Sequence, residues 1–401
     1  MLHILKKLTP ALALAALVAS QGPAGAQAPG VSDTEIKIGQ TMAYSGPASS
    51  YGVIGKAEAA YFDMVNDNGG INGRKINLIS LDDGYSPPKT VELTRQLVEQ
   101  DGVAFIFQSL GTPPSTAVQK YLNQKGVPQL FIASGAGKWN NPEEFPWSTG
   151  WQPTYPTESA VFGKHILQTN PDAKVAVLYQ NDDLGRDYRK GLVDAFGDRF
   201  EDIVVGEATF EASDPTVDSQ IVSLQASGAD TLVLAGLPRP VAQAIRKAYD
   251  IGWKPTLYLP SGSSSVSSVL TPAGLDKSVG AVTVGFLKDP TDAQWADDEE
   301  YKAYAEWMDK YYPDGDKAEF LNAFGYAAAA TLVKVLEMAG DDLSRENIMK
   351  QVESLDDVAV PMLLPGVTVS VSPENHSPIR KMRTMRFNGE KWEIFGDLIE
   401  G

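Results

Sequence analysis

Apolar residues in the first part of the chain follow two alternating spacings. Residues 35–42 (EIKIGQTM) alternate, with Ile36, Ile38 and Met42 on one face, which predicts a half-buried β-strand. Residues 55–68 are apolar at helical spacing and end in the turn sequence NGGING. The pattern repeats, with strands predicted at 75–81, 103–107 and 129–133 and helices at 89–100 and 115–125. Strands that alternate with helices need crossover connections, so we expect a mostly parallel sheet with helices on both faces.

The same alternation resumes after the stretch SGAGKWNNPEEFPWSTGWQP at residues 134–153. Helices are predicted at 158–169, 185–196, 217–226 and 241–251, and strands at 174–179, 203–209, 231–235 and 256–259. A strand at 280–286, helices at 297–310 and 318–340, and antiparallel strands within 366–395 complete the pattern. The chain therefore contains a second parallel sheet, and its length exceeds what one hydrophobic core usually holds.

The first 26 residues have the pattern of a cleaved export signal. Lys6 and Lys7 precede an apolar centre at residues 8–19, and Ala24-Gly25-Ala26 forms a small-residue cleavage site. The apolar centre is too short for the roughly 20 residues of a spanning helix. We expect cleavage near Ala26 and a free periplasmic protein without direct membrane insertion, since no cysteine is available for a lipid anchor.

Charge and composition exclude several classes of function. The formal net charge is −17, and loss of Lys6 and Lys7 makes it more negative by two. An acidic surface repels phosphate groups, which argues against nucleic acid or an anionic membrane as a partner. Because cysteine is absent, disulfides, thiolate nucleophiles and cysteine metal sites are excluded as well.

In open parallel sheets, ligands bind beyond the carboxyl ends of the strands. The loops expected there are AYSGPASSYG, QSLGTPPS, SGAGKW, QNDDLG, GLPRP and PSGSSS. These loops are rich in glycine and hydroxyl side chains, so their backbone N–H groups can face a ligand. We expect the binding site where the loops of the two sheets meet.

Several of these motifs, in this order, resemble the solute-binding proteins of branched-chain amino acid ABC transporters. The resemblance is carried by YSGPASSYG, NDNGGINGRKINLISLDDGYSPPK, PQLFIASGA and KVAVLYQNDDLGRDY, and it extends over nearly the whole mature chain. It implies a type I periplasmic binding fold, in which two Rossmann-like α/β lobes close over a small ligand. It further implies a membrane permease as partner, no cofactor, no metal, no catalytic residue and, in our expectation, a monomer.

The resemblance also implies that the chain crosses the hinge between the lobes three times. We expect crossings at residues 148–151, 282–286 and 358–365. The first lobe would then comprise residues 27–149 and 285–360, and the second lobe residues 150–284 and 361–401. Trp147 and Trp151 flank the first crossing, and their rings would fix it against both lobes, with Trp151 facing the cleft. The alternative is that Phe145 and Trp147 only attach an irregular loop to the outside of the protein.

Site residues of the first lobe follow from the same resemblance. Tyr51 corresponds to the aromatic residue that covers the ligand's side chain. Gly111 and Thr112 correspond to a serine cluster after the third strand. The run at Ser134, Gly135 and Ala136 corresponds to the small residues after the fourth strand, and these loops hold the carboxylate and ammonium groups of an amino acid in the family. A surface ring that caps the loop remains the alternative for Tyr51, and ordinary turn residues remain the alternative for the other positions.

The second lobe departs from the family pattern at three polar positions. Leu184 replaces the tyrosine of a YG dipeptide, Leu237 replaces another tyrosine, and Ser261 or Gly262 replaces the acid that pairs with the ligand's ammonium. A buried ammonium without a carboxylate partner costs several kcal/mol. We therefore expect an aromatic or other organic carboxylate rather than a standard amino acid.

The basic residues Lys138, Arg186 and Arg239 lie in or beside the site loops and are candidates for pairing with a carboxylate. Lone basic side chains in such loops are more often exposed to solvent.

Two other functions are compatible with parts of the sequence. A hydrolase is disfavoured, because His165 and His376 form no metal-binding pair and neither GxGxxG after a strand nor GxxxxGK[ST] is present. The carboxylate pair Asp82-Asp83 is interpreted as a loop cap. A ligand-sensing receptor subunit would share the fold and differ only in its partner.

Overall fold

The computed structural model describes residues 28–400, and the predicted export signal lies outside them. Its first sheet has five parallel strands in the order β2-β1-β3-β4-β5. These are β1 (Glu35–Met42), β2 (Lys75–Asp82), β3 (Ile106–Phe107), β4 (Gln129–Ile132) and β5 (Ser148–Gly150), with helices α1 (Gly52–Asp67), α2 (Pro87–Arg95) and α3 (Thr112–Lys125) between them.

The second sheet has seven strands in the order β12-β11-β10-β9-β8-β6-β7. Its strands are β6 (Val175–Gln180), β7 (Val204–Phe210), β8 (Thr231–Ala235), β9 (Thr256–Tyr258), β10 (Val282–Gly285), β11 (Lys381–Phe387) and β12 (Trp392–Glu400). The first five are parallel and the last two antiparallel. The helices are α4 (Tyr155–Thr169), α5 (Asp183–Phe196), α6 (Phe200–Ile203), α7 (Asp218–Ala226), α8 (Pro238–Asp250) and α9 (Thr271–Ala273).

Helices from the C-terminal part of the chain complete the first lobe. They are α10 (Glu299–Tyr311), α11 (Phe320–Ala339) and α12 (Arg345–Val352). Helix α11 is apolar on nearly all sides and packs against α1. The approach is close at Gly325, where a Cβ atom would lie 2.6 Å from the carbonyl oxygen of Ile54. The two helices thereby form one core with β1, β3 and β4.

The parallel sheets flanked by helices confirm the predicted fold class. The strand β5 and the helix α12 were not predicted, and residues 366–371 (GVTVSV) form one isolated bridge, between Val369 and Val358, instead of a strand. Among residues 28–400, none of the helices combines the length and the apolar character that crossing a bilayer requires.

The chain passes between the two sheets three times. The first passage follows β5 and the second follows β10, because α10 and α11 pack against α1. Before the third passage, Leu363 bridges to Leu287, and Nδ1 of His376 lies 2.8 Å from the carbonyl oxygen of Ser148. The chain enters the second sheet only at Lys381. We therefore propose a third crossing at residues 378–380 in place of 358–365, with the lobe boundary moved accordingly.

Candidate functional site

A candidate binding site lies between the two lobes, at the carboxyl ends of both sheets. It encloses about 630 Å³ of empty space, counting the part that is open to solvent. Six of the sequence-predicted residues line it, namely Tyr51, Gly111, Thr112, Leu184, Leu237 and Ser261. The structure thus brings together residues from both lobes that are far apart in the sequence.

The run Ser134, Gly135 and Ala136 lies behind this cavity and lines a smaller one. The hydroxyl oxygens of Ser134 and Thr112 are 2.7 Å apart, and both side chains are buried. Ser134 Oγ also accepts a hydrogen bond from Nε1 of Trp139 at 3.1 Å. Ser134 therefore positions Thr112, and none of the three residues of the run lines the main cavity.

Trp151 is fully buried and does not line the main cavity either. Its Nε1 donates a hydrogen bond to Oγ1 of Thr331 at 3.1 Å. The edges and faces of its ring contact Phe324 and Phe286, at centroid distances of 4.7 Å and 6.0 Å. Because these two phenylalanines line the cavity, Trp151 supports the wall from behind.

Aromatic residues that the sequence analysis did not select form much of the wall. They are Tyr85, Tyr155, Tyr188, Phe286, Phe320 and Phe324. Tyr188 follows Leu184 by four residues, so the two side chains share one face of α5. A helical-wheel comparison could have found Tyr188. Its phenol lies on the same helix face as Leu184, the position at which the family resemblance implies a tyrosine.

The loop that carries Tyr85 is held by the carboxylate pair after β2. Asp82 accepts hydrogen bonds from the backbone N–H groups of Tyr44 and Gly84, and Asp83 accepts one from Tyr85 at 2.8 Å. The backbone of Tyr85 has a φ of 62°. A tyrosine in this left-handed region is strained, and strain of this kind often occurs at functional sites.

Gly111 is required by both its backbone and its surroundings. Its φ is 94°, and a Cβ atom would lie 2.3 Å from Cε2 of Tyr85. Any side chain at this position would therefore displace the Tyr85 ring from the wall.

Glu158 is a buried acid beneath the floor of the cavity, and the sequence analysis missed it. Its carboxylate accepts hydrogen bonds from the backbone N–H of Ser261 at 2.5 Å and from Oγ of Ser261 at 3.1 Å. Burial raises the pKa of Glu158 to about 7, although these donors and the nearby Tyr188 act in the opposite direction. Glu158 fixes the turn that presents Ser261 to the cavity.

The basic residues proposed as carboxylate partners lie outside the cavity. Lys138 and Arg186 both pair with Asp183, at 3.2 Å and 2.8 Å. Arg239 donates a hydrogen bond to the carbonyl oxygen of Pro215 at the surface. No lysine or arginine of residues 28–400 lines the main cavity.

Several contacts join the lobes across the cleft. The hydroxyl oxygens of Tyr51 and Ser263 are 3.2 Å apart. On one side, the backbone N–H of Gly137 donates to Oδ2 of Asp187 at 2.8 Å. On the other, Oε2 of Glu319 accepts hydrogen bonds at 2.8 Å and 3.0 Å from the serine hydroxyls at 265 and 267. The structure therefore represents a closed arrangement of the lobes.

Comparison with known proteins agrees with this geometry. The family model described as "Periplasmic binding protein" matches residues 35–391. Leu/Ile/Val-binding protein homolog 1 of Brucella abortus (strain 2308) is 27% identical over 354 residues, which are 85% of this chain and 86% of that protein.

Two solved structures share the fold. A branched chain amino acid ABC transporter from Thermus thermophilus with bound valine has a TM-score of 0.82 and 16% identity, covering 92% of this chain and 98% of that chain. A fatty acid ABC transporter substrate-binding protein from Thermomonospora curvata has a TM-score of 0.77 and 21% identity, covering 94% and 95%.

Fold and site together define a two-lobed solute-binding protein. The chain belongs to the periplasmic binding protein family, and in sequence it is similar to the Leu/Ile/Val-binding protein homologues. Its homologues are solute-binding proteins.

Proposed function

We propose that this protein is the substrate-binding component of an ABC importer, and that it traps a small organic solute by closure of its lobes. The observation that carries the proposal is the cavity whose wall is formed jointly by residues of both lobes, such as Thr112 and Ser261. A solute that contacts both lobes binds the closed state more tightly than the open one, and this difference drives closure.

The favoured ligand is an aromatic or other organic carboxylate. Phe286 and Phe324 offer apolar ring surface, and Leu184 and Leu237 are apolar at positions where the family resemblance implies tyrosines. The carboxylate of Glu158 is already hydrogen-bonded to Ser261 and is fully buried, so it offers no free partner to an ammonium group. The related proteins that are described as binding valine or a fatty acid support a small carboxylic acid as ligand class.

Export, location and partners complete the proposal. The protein is exported to the periplasm after cleavage near Ala26, acts as a monomer and delivers its ligand to a membrane permease. The family description supports the location. Metabolic labelling with palmitate tests for a lipid anchor, and a labelled fraction would contradict the free form.

Binding measurements test the ligand. Titration calorimetry with leucine, valine, glutamate, benzoate and 4-hydroxycinnamate should show binding of an aromatic acid and a decrease in the radius of gyration on its addition. The variant Leu184→Trp fills the cavity and should abolish binding, whereas Val222→Trp at an exposed position of α7 should not. Tight binding of leucine alone would refute the aromatic ligand, and no response to a broad metabolite library would refute the binding function.

A further inference from the structure

Two phenols of the cavity wall have hydroxyl groups that make no hydrogen bond within 3.5 Å in the described part of the chain, although Glu158 lies near Tyr188 and Gln180 lies near Tyr85. Tyr85 is 7% exposed and Tyr188 is 0% exposed, and both side chains line the main cavity. Tyr85 belongs to the loop after β2 in the first lobe, and Tyr188 belongs to α5 in the second lobe. The cavity therefore has, on each of its two sides, one phenol whose hydroxyl group lacks a close hydrogen-bond partner.

An unpaired buried hydroxyl is costly unless a ligand pairs with it, because burial removes the hydrogen bonds that water would supply. Tyr51, a third phenol of the wall, already shares a hydrogen bond with Ser263. Tyr85 adds a second cost, since its backbone is held in the left-handed region. Both features are expected where a site is organised before its ligand arrives.

Other side-chain donors at this site include the phenol of Tyr155 and the amide of Gln152. Helices α3 and α8 begin at the cavity without a side-chain cap, so their N-termini face the ligand. Proline occupies two positions in the first turn of each helix (Pro113, Pro114, Pro238 and Pro240), and proline has no N–H to donate.

The phenols remain available as donors at neutral pH. Burial, reinforced by the nearby Glu158, raises the pKa of Tyr188 well above its usual value, and burial does the same for Tyr85. Both groups therefore stay protonated and can donate to a ligand that carries acceptors only.

We propose that Tyr85 and Tyr188 donate hydrogen bonds to the carboxylate of the ligand, one from each lobe, and thereby select an aromatic monocarboxylate without an ammonium group. The inference rests on the proposed solute-binding function and names the groups that hold the ligand's polar end. Two donors on opposite lobes make closure depend on the carboxylate, because neither lobe alone supplies both bonds. Tyr188 also replaces, one helical turn later, the phenol that is missing at Leu184.

The test compares Tyr85→Phe and Tyr188→Phe with Tyr304→Phe. Tyr304 is a matched control, because its hydroxyl is also buried without a partner but lies in the core of the first lobe, away from the cavity. Titration with benzoate should show affinity that is about tenfold lower or worse in each cavity variant and unchanged in Tyr304→Phe. The ratio of benzoate to benzamide affinity should collapse in the cavity variants only, which a purely structural role would not produce.

The thermal midpoints of the free variants should not fall, because each substitution removes an unpaired hydroxyl. The inference would be overturned if wild-type protein binds benzoate or 4-hydroxycinnamate and both cavity variants bind the same acid within twofold of wild type. In that case the proposed solute-binding function would still stand. Wild-type protein that binds neither acid, but binds another solute, would overturn the proposed ligand class and the inference with it.

Discussion

The carboxylate of Glu158 and the backbone N–H of Ser261 are joined by a hydrogen bond of 2.5 Å between the fourth helix and the loop after β9. This bond places a buried acid directly below the floor of the cavity, next to Tyr188. The arrangement makes both folding stability and ligand binding sensitive to the protonation of one side chain.

Glu158→Gln should change how stability depends on pH. The pKa of Glu158 is about 7 in the folded protein against a reference value of 4.5, so the folded state binds the proton more tightly than the unfolded state. Its stabilising contribution is complete below pH 4.5 and is lost as the pH rises through 7, and it amounts to about 3 kcal/mol. Urea unfolding should show the free energy of wild type, relative to Glu158→Gln, falling over this interval.

Other buried acids, including Glu58, whose pKa burial also raises, are present in both proteins. Their effects cancel in the difference between wild type and variant. Parallel stability curves for the two proteins between pH 4.5 and 7.5 would contradict the assignment of this pH dependence to Glu158.

The affinity for benzoate should fall as the pH rises above 7, because a deprotonated Glu158 repels a carboxylate held by Tyr188. The other ionisable groups that interact with Glu158 are Tyr51 and Tyr155, which burial keeps protonated at these pH values. Calorimetry from pH 6 to 8.5 should show a decline that approaches tenfold per pH unit, with a flat profile in Glu158→Gln. A wild-type profile as flat as that of the variant would exclude the coupling.

The predicted site illustrates what loop position alone can establish. Thr112 and Ser134 are 22 residues apart in sequence, yet the alternating pattern places them at the ends of adjacent parallel strands, and their hydroxyls meet. The pattern does not show which side of such a loop faces the ligand. Ser134 accordingly lies behind the wall, and Trp151, at the next strand end, packs into the core.

Glu158 and Tyr188 were missed because both lie on helices, where spacing identifies the buried face but not what that face covers. The buried side of α4 contains Glu158 among apolar residues, and only the tertiary structure brings Ser261 to it. At residues 366–371 the sequence predicted a strand that the structure does not form. Alternating valines indicate an extended chain, but they do not show whether a neighbouring strand is present to pair with it.

Gly111→Ala should impair both stability and binding. Alanine is strained at a φ of 94°, and its Cβ would collide with the ring of Tyr85 at 2.3 Å. Gly228→Ala is the control, because Gly228 has a φ of 75° with nothing within 4 Å. We expect a loss of about 1–2 kcal/mol of unfolding free energy in the control, a larger loss in Gly111→Ala, and weaker benzoate binding only in the latter. Equal losses in both variants would mean that the Tyr85 contact is unimportant.

Glu319→Ala should favour the open arrangement of the lobes. Glu319 caps α11 by accepting the N–H of Leu321, and its other oxygen accepts the hydroxyl hydrogen bonds of Ser265 and Ser267 from the opposite lobe. Ser344→Ala is a matched control, because Ser344 caps α12 without reaching the second lobe. Both variants should lose about 1 kcal/mol of unfolding free energy through the lost cap. Only Glu319→Ala should also lose the cross-lobe hydrogen bonds. Small-angle scattering should therefore show a larger radius of gyration for this variant, and calorimetry should show a several-fold weaker affinity for the ligand. Identical scattering and affinity for the two variants would show that these serine contacts contribute nothing to closure.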